Sequence, residues 1–301
     1  MREKRRGALK RRREFCDFAC GLPALIFFAI FTYYPILYLL KISFTNWNLM
    51  KPTYQYVGLA NYKWLTGNGW NKFLTSAGVT VLYTAGEVLI TIIGGILLAV
   101  LFDCMNRMFK WMRAAIVIPK YVAVSSTAMI FLWLYNDRYG VFNYILSLFG
   151  GSGVNWLGQK STALASLIAF GGWRTVGYAM LIYLSAMKGI SEEYLEAAAI
   201  DGAGGLQKLR YIKIPLLAPT TLFLGVTTVV SSMKVFQAVD VLTGGGPYGS
   251  TDVLVYYIYE LAFVNFRIDR AAAVGVMFFG ALMLFTAVTM KWSNNKVNYD
   301  A

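Results

Sequence analysis

The sequence predicts an all-α membrane protein with six transmembrane helices, and two observations carry that prediction. Hydrophobic residues make up 57% of the 301-residue chain and charged residues only 14%, whereas a soluble domain carries about a quarter charged residues. Three long runs, 18–40, 214–233 and 271–290, contain no Asp, Glu, Lys or Arg. Each reaches the roughly 20 residues that a helix needs to cross the bilayer core. Most of the surface of this chain is therefore expected to face lipid.

Six segments are apolar enough to be spans, and four of them have one or two charges inside the apolar stretch. Helices are favoured over open strands because lipid offers no partner to unpaired backbone groups. No repeat of fixed period divides the chain, so residues 18–291 are expected to form one membrane domain. The predicted spans are about 18–40, 78–102, 114–135, 163–186, 220–240 and 271–291.

The distribution of basic residues predicts the orientation of the spans. With the N-terminus assigned to the cytoplasm, the segments on that side hold 17 Lys or Arg and those on the outer side hold eight. This excess follows the positive-inside bias, so the basic N-terminus, 1–17, and the tail, 292–301, are both predicted to be cytoplasmic. The net charge of +13 is explained by this bias and by attraction to anionic lipid, so nucleic acid is not expected as a partner.

A metal site is not expected in this chain. The three cysteines are Cys16, Cys20 and Cys104, and all fall near the predicted cytoplasmic side, where thiols stay reduced. The chain contains no His, so it lacks the ligands that a metal site would need besides these thiols.

The long segment predicted on the cytoplasmic side, 188–219, has the pattern of two short helices joined by a tight turn. Ser191 followed by two glutamates is a typical helix start, because the Ser side chain caps free N–H groups and acids suit the helix dipole. Gly202 is expected to end this helix with left-handed backbone, and Pro215 is predicted to end the second helix. This pattern alone fits an ordinary amphipathic connector as well as a docking element.

Seven residues of the segment stand at long, fixed spacing: Glu196, Ala197, Ala198, Asp201, Gly202, Ile212 and Pro215. They resemble the EAA loop of binding-protein-dependent ABC importer permeases, whose pattern is E-A-A, three residues, G, nine residues, then I-x-L-P. The one departure is Ile214, where Leu is usual, and it keeps an apolar side chain of the same volume. By this resemblance the segment docks onto an ATPase.

Other segments resemble the maltose and glycerol-phosphate type of sugar permease, and together they cover about residues 20–290. Asp269-Arg270 departs from that pattern, since many relatives have an uncharged pair there. The extra helices and large outer domain that the first maltose-type subunit can carry are also absent. The similar segments are Val57 to Tyr62, Trp173-Arg174, Gly177-Tyr178, Phe236, Asp240, Thr243 to Pro247, Tyr259-Glu260 and Ala262-Phe263.

The resemblance implies a type I ABC importer permease fold in a bacterial cytoplasmic membrane. Its implied partners are a second six-span permease, a different chain in relatives, two ATP-binding cassette subunits and an outer solute-binding protein that delivers a sugar. The implied contacts of that binding protein are Gly245, Gly246 and Pro247. The chain has no G-x-x-x-x-G-K-[ST] run to cradle phosphates, so ATP and Mg are expected on the partner ATPase, and neither a cofactor nor catalysis is expected here.

Three charged residues inside the predicted spans, Glu87, Arg174 and Lys234, are candidates for the substrate path, because such charges usually face a bundle interior or a water cavity. The alternative is an internal ion pair that only holds helices together. Because the two cations outnumber the single acid, the substrate could also be an acidic saccharide such as a uronide. The aromatic candidates, which either stack on sugar rings or pack against lipid and protein, are Trp173, Tyr178 and Phe236.

The sequence therefore predicts the non-catalytic, pore-forming permease subunit of an ATP-driven importer for a sugar or oligosaccharide. Within the same class, the solute could instead be a phosphodiester, a polyamine or a peptide. Two other classes compete with it. An ion-coupled secondary transporter would show inverted repeats, and a membrane scaffold would tolerate changes at Glu196 without loss of uptake.

Overall fold

The computed structural model describes residues 18, 20–103 and 110–296. The basic N-terminus, the last five residues of the tail, Cys16 and Cys104 lie outside these described residues. Within them the chain is helical, and its extended pairing is limited to one bridge between Thr45 and Tyr56.

The helices of the described chain are numbered here in chain order. Four of them, α1, α3, α7 and α13, are long and apolar enough to cross a membrane, and the described residues contain up to six spans if the bent pairs α4–α5 and α9–α10 each count as one. The bounds are α1 Cys20–Ile42, α2 Ala60–Thr66, α3 Trp70–Asp103, α4 Lys110–Tyr121, α5 Val124–Leu134, α6 Val141–Leu148, α7 Lys160–Lys188, α8 Glu192–Ile200, α9 Gly205–Leu216, α10 Ala218–Ser232, α11 Gln237–Leu242, α12 Leu254–Val264 and α13 Ile268–Lys296.

Two of the predicted spans are not continuous helices. The segment predicted at 114–135 is divided into α4 and α5, which are bent by 104°, because Ala123 between them takes an extended ψ of 134°. The segment predicted at 220–240 ends as a helix at Ser232. Beyond it the N–H groups of Lys234 and Val235 bond only three residues back, and this tight turn ends the regular helix before α11 begins.

The predicted outer segments contain more helix than expected. Helix α3 begins at Trp70, eight residues before the predicted start at 78. The outer segments 136–162 and 241–270 hold the short helices α6 and α12.

The described residues up to 68, together with 261–277, form one compact unit. The Asn61 side chain is buried in it and donates hydrogen bonds to the carbonyls of Ser43 at 2.9 Å and Thr45 at 2.7 Å. Burying an amide costs free energy unless it is bonded, and these bonds fasten the chain after α1. The apolar stretch of α1 itself is only 6% buried, so this helix presents its side chains to lipid or to another chain.

The Asp269-Arg270 pair, which departs from the family pattern, has partners inside this first unit. Asp269 is fully buried and accepts hydrogen bonds from the Arg267 guanidinium at 3.0 and 2.7 Å. The Arg270 guanidinium lies 4.3 Å from the centre of the Trp64 ring, a cation–π distance. Both charged side chains therefore have their partners within this unit.

Residues 69–260, together with 278 onward, form the second unit, and α7 lies at its centre. Of the spanning helices, α7 has the largest buried share of its apolar stretch, at 56%. Its contact with α3 is lined by glycines, where a methyl group added on either helix would lie within 2.8 Å of an atom of the other. Small residues at membrane helix interfaces let backbones approach closely. These glycines are Gly86, Gly94 and Gly95 on α3, and Gly171 and Gly172 on α7.

A hydrogen bond adds to the close contact of these two helices. The hydroxyls of Thr91 on α3 and Thr175 on α7 are 2.7 Å apart and buried. Thr91 lies in a π-helical segment, Ile90–Gly94, and such segments are frequent at functional sites.

Helix α7 also contacts α4 closely at Gly177, and this contact predicts that a larger residue there lowers the stability. In Gly177→Ala, the new methyl group would overlap the backbone carbonyl of Ile116, which cannot rotate away as a side chain can. We expect a loss of about 1–3 kcal/mol in the free energy of unfolding, as for other overpacked sites, measured as a lower melting temperature of the detergent-solubilised chain.

The matched control for this prediction is Gly78→Ala on α3, because nothing lies within 4 Å of a methyl group added there. Alanine is also a better helix former than glycine, so this variant should melt at the wild-type temperature or above it. Equal melting temperatures for the two variants would contradict the close contact of α7 with α4.

Candidate functional site

The helix–turn–helix predicted at 191–215 is present in the structure. The Ser191 hydroxyl accepts a hydrogen bond from the N–H of Glu193 at 3.3 Å and caps α8. Gly202 has a φ of +79° and ends α8, as predicted. The N–H groups of Gly202 and Ala203 bond back to the carbonyls of α8 at 3.1 and 2.8 Å. This pair of bonds is a Schellman motif, so glycine is required for the turn.

The second helix, α9, runs further than predicted. The Gly204 N–H donates to the Gln207 side chain at 2.7 Å and caps its start. The prediction that Pro215 ends this helix is wrong, since α9 continues to Leu216. A π-helical segment, Leu209–Lys213, immediately precedes the proline. A proline normally clashes with the carbonyl four residues back, and the wider π turn relieves this clash, so the chain bends only after Leu216, by 62°.

The coupling segment, as we name residues 191–215, packs little of its surface within the described chain. Helix α8 contains no buried residue, and Ile200 and Leu206 are 87% and 78% exposed. Glu196 is also exposed, and its carboxylate forms no ion pair with any described residue. Exposed apolar side chains clustered with an unpaired acid are typical of an interaction surface.

One ion pair ties the coupling segment to the helix bundle. The Lys213 ammonium lies 2.8 Å from the carboxylate of Asp103, the last residue of α3. Just beyond the segment, Leu217 is buried, and the Tyr183 hydroxyl of α7 donates to Thr221 of α10 at 3.0 Å. Movement of the coupling segment would therefore be passed directly to α3 and α10.

A cavity of about 420 Å³ lies within the second unit. Its volume is in the range of small-molecule sites, and its wall carries both charged and hydroxyl side chains. The residues that line the cavity include Tyr83, Glu87, Lys120, Phe170, Gly171, Arg174, Thr175, Ser231, Ser232, Lys234, Phe236 and Gln237.

Glu87 of α3 is the acid of the cavity, and its carboxylate lies near the Tyr83 hydroxyl. Only 5% of Glu87 is exposed. The absence of a side chain at Gly171 makes room for this pair, since a methyl group there would lie 2.5 Å from the Tyr83 hydroxyl and 3.2 Å from the Glu87 carboxyl carbon.

The Arg174 side chain of α7 caps the chain at the break between α4 and α5. Its guanidinium donates to the side chain of Thr127 at 2.6 Å and to the carbonyls of Val122 and Lys120 at 3.1 and 3.5 Å. Carbonyls freed at a helix end must find other donors, and a charged donor satisfies several at once. Among the described residues, no ion pair joins Glu87 to Arg174 or Lys234, so the predicted alternative of a purely structural pair is not what the geometry shows.

The cavity brings together four of the six substrate-path candidates, namely Glu87, Arg174, Lys234 and Phe236. The other two are not among its lining residues. The Trp173 ring packs against Phe131 at a centroid distance of 4.8 Å, and Tyr178 lies under the Lys120 ammonium at 5.8 Å.

Sequence reasoning missed Lys120 as a wall residue, although the charge inside an apolar segment was visible. It also missed the hydroxyl and amide groups of the wall, because Ser, Thr and Gln inside a span carry no signal that separates a cavity wall from helix packing. The missed residues are Lys120, Thr175, Ser231, Ser232 and Gln237.

The glycine-rich loop after α11 is held in one shape by short polar contacts. Gly244 and Gly245 have φ of +55° and +77°, which glycine adopts without strain. The Thr251 hydroxyl donates to the Gly246 carbonyl at 2.6 Å, and its oxygen lies 2.8 Å from the Thr243 hydroxyl. Tyr248 at the tip is 97% exposed. The loop thus presents the predicted contacts Gly245, Gly246 and Pro247 on a fixed support.

An ion pair fixes the far end of this loop to α3. Asp252 is buried and pairs with Lys72, which also lies 3.4 Å from Glu260. Burial raises the pKa of the Asp252 carboxyl above its ordinary value, and the Lys72 ammonium offsets part of that effect.

The fold and the two sites define a helical membrane permease subunit with an exposed helix–turn–helix segment and a polar cavity between its helices. Residues 91–299 match the binding-protein-dependent transport system inner membrane component. This match covers more than half of the chain, which therefore belongs to that family, and the resemblance drawn from the EAA residues is confirmed.

The chain is similar to named relatives over almost its whole length. It is 31% identical over 280 residues to the sn-glycerol-3-phosphate transport system permease protein UgpA of Agrobacterium fabrum, covering 92% of this chain and 94% of the relative. It is 30% identical to the trehalose/maltose transport system permease protein MalF of Thermococcus litoralis, covering 94% and 95%. A subunit of a bacterial ABC transporter involved in the import of the acidic polysaccharide alginate has the same fold, with a TM-score of 0.83 and 24% identity, covering 95% of this chain and 98% of that one.

The role of Arg174 as a cap predicts the effect of its removal. In Arg174→Met the carbonyls at the α4–α5 break and the Thr127 hydroxyl lose their charged donor. We expect the free energy of unfolding to fall by about 2 kcal/mol, measured from the melting temperature of the solubilised chain. Lys188→Met, which removes an exposed charge from the same helix, is the control, and an equal effect in both variants would argue against the cap.

Proposed function

We propose that this chain is one of two pore-forming subunits of an ATP-driven importer for a sugar or oligosaccharide. The observation that carries the proposal is the exposed coupling segment with the EAA pattern, joined by the Lys213–Asp103 ion pair to the helix that reaches the cavity. In the proposed assembly it pairs with a second permease, two ATP-binding cassette subunits and an outer solute-binding protein, in a bacterial cytoplasmic membrane.

The proposed topology has six spans with both termini in the cytoplasm. Each bent pair, α4–α5 and α9–α10, then counts as one span. The excess of Lys and Arg in the segments assigned to the inside supports this orientation. It places the coupling segment on the cytoplasmic face and the glycine-rich loop on the outer face, where a binding protein could reach it.

In the proposed mechanism, movement of the coupling segment is transmitted along α3. When the partner ATPase closes on ATP, the coupling segment moves with it, and Lys213 pulls on Asp103. Glu87 lies 16 residues before Asp103 on the same helix, which is about 24 Å at 1.5 Å per residue. Motion at one end of α3 therefore changes the wall of the cavity, as alternating access requires.

The chain has no catalytic role in this proposal. ATP and Mg are bound by the partner subunits, since the sequence has no phosphate-binding loop. The sugar is proposed from the relatives named for glycerol phosphate and for trehalose and maltose, and uptake of a labelled solute panel separates it from a phosphodiester, a polyamine or a peptide.

The coupling role of Glu196 predicts a loss of transport on charge reversal. In Glu196→Lys, a cation replaces the exposed acid that is proposed to meet a basic group of the ATPase. We expect sugar uptake by cells carrying the whole importer to fall about tenfold or more, the size of typical coupling energies, while the chain still reaches the membrane.

The control for this test is Glu192→Lys, which makes the same charge change in the first turn of α8 and should transport well above Glu196→Lys. Normal uptake by Glu196→Lys would remove the docking role and favour a membrane scaffold.

The Lys213–Asp103 pair predicts a rescue experiment. The two side chains are 21% and 26% exposed, so the pair is partly shielded from water. Lys213→Asp alone should reduce uptake, because the coupling segment then repels the end of α3. The double variant with Asp103→Lys restores the attraction and should recover most of the uptake, and a double variant as slow as the single one would argue against transmission through this pair.

A further inference from the structure

The cavity wall carries more positive than negative charge. Three basic side chains, those of Lys120, Arg174 and Lys234, line it together with one acid, Glu87. We propose that the transported solute is an anionic saccharide, one that carries a carboxylate or a phosphate group, and that Lys120 and Lys234 bind this group. The inference rests on the function proposed above and adds the charge class of the substrate.

Lys234 has no acidic partner in the described chain. It lies in the turn after α10 and is exposed toward the cavity, and no ion pair within the described residues includes it. Charges at membrane depth are costly and usually pair with one another. An ammonium that faces a cavity without a carboxylate partner is therefore suited to an anion that arrives from outside the chain.

Lys120 is in a similar position at the end of α4. Its ammonium lies 5.8 Å from the centre of the Tyr178 ring, a cation–π contact that supplies no carboxylate partner. It likewise forms no ion pair within the described residues. Arg174 has its guanidinium committed to the α4–α5 break, so the two lysines are the wall cations that remain available to a ligand.

Glu87 does not cancel this surplus. Its single carboxylate can balance one of the three cations, and it lies near the Tyr83 hydroxyl and is almost completely buried. A concave wall of one sign with apolar surroundings concentrates ligands of the opposite sign. The remaining charge favours a solute with one or two negative groups.

The rest of the wall suits a saccharide better than a simple anion. The hydroxyls of Ser231 and Ser232 and the amide of Gln237 also line the cavity, and such groups can bond sugar hydroxyls. The Phe236 ring offers an apolar face, supported by Tyr259 at a centroid distance of 4.9 Å. Convergent polar groups beside an aromatic face are the usual composition of small-molecule sites.

The test uses the assembled importer with its own binding protein in membrane vesicles. Paired labelled probes differ only in charge: galacturonate oligosaccharides and their methyl esters for the carboxylate arm, and sugar phosphates and the same sugars without phosphate for the phosphate arm. We expect uptake in at least one arm to favour the charged form at least tenfold.

Variants of this chain then test whether the cavity lysines cause the preference for the charged probe. Lys120→Gln and Lys234→Gln should each raise the KM for the anionic probe about tenfold, as for a lost charge-assisted hydrogen bond, with less effect on its neutral counterpart. Lys234→Arg should keep most of the affinity. Lys160→Gln, which removes a charge from the exposed start of α7 outside the cavity, is the matched control and should leave KM unchanged.

Each outcome decides a separate claim. Equal or better uptake of the neutral forms would overturn the inference and leave the sugar importer intact. Preference for the charged forms with an unchanged KM in both Gln variants would also overturn it, because the selectivity would then lie elsewhere in the importer. Uptake of no saccharide in either arm would overturn both this inference and the proposed function.

Discussion

The close contact between α3 and α7 is the constraint on which the rest of the second unit depends. Five glycines let the two helices approach until an added methyl group on either would meet an atom of the other, and a buried bond between Thr91 and Thr175 adds to the contact. Both helices carry wall residues of the cavity, and α3 also carries the acid that meets the coupling segment. The same packing therefore sets the shape of the cavity and the path by which motion reaches it.

This arrangement would let one chain combine a rigid part with a movable part. The α3–α7 contact leaves little room for sliding, because its small residues already touch across the interface. The bent pairs are different, since each contains a break at which the backbone changes direction. A transporter of this design would keep α3 and α7 together and let the bent pairs change angle around them.

The features that could be predicted from the sequence are those encoded by local pattern. The cap at Ser191 and the left-handed Gly202 were predictable because each depends on a few adjacent residues. The long apolar helices were predictable from length and hydropathy. The grouping of Glu87, Arg174 and Lys234 around one cavity followed from the cost of a charge in lipid, which leaves few places for such a residue.

The features that could not be predicted depend on contacts between distant segments. The break after Tyr121 is satisfied by an arginine more than fifty residues later, and no local signal at 121–123 announces it. The passage of α9 through Pro215 depends on a π turn, which the usual rule for proline does not include. The closeness of Gly86 and Gly171 was equally hidden, since an isolated glycine in a helix pattern indicates only weaker helix propensity.

The position of Arg174 limits how this cavity can change in evolution. The side chain holds the α4–α5 break and at the same time forms part of the wall, so an exchange to a neutral residue would disturb the backbone before it altered ligand preference. Lys234 carries no such structural duty within the described chain, and Lys120 has only its contact with the Tyr178 ring. Selectivity among homologues with this architecture should therefore diverge first at those two lysine positions, before the guanidinium is exchanged.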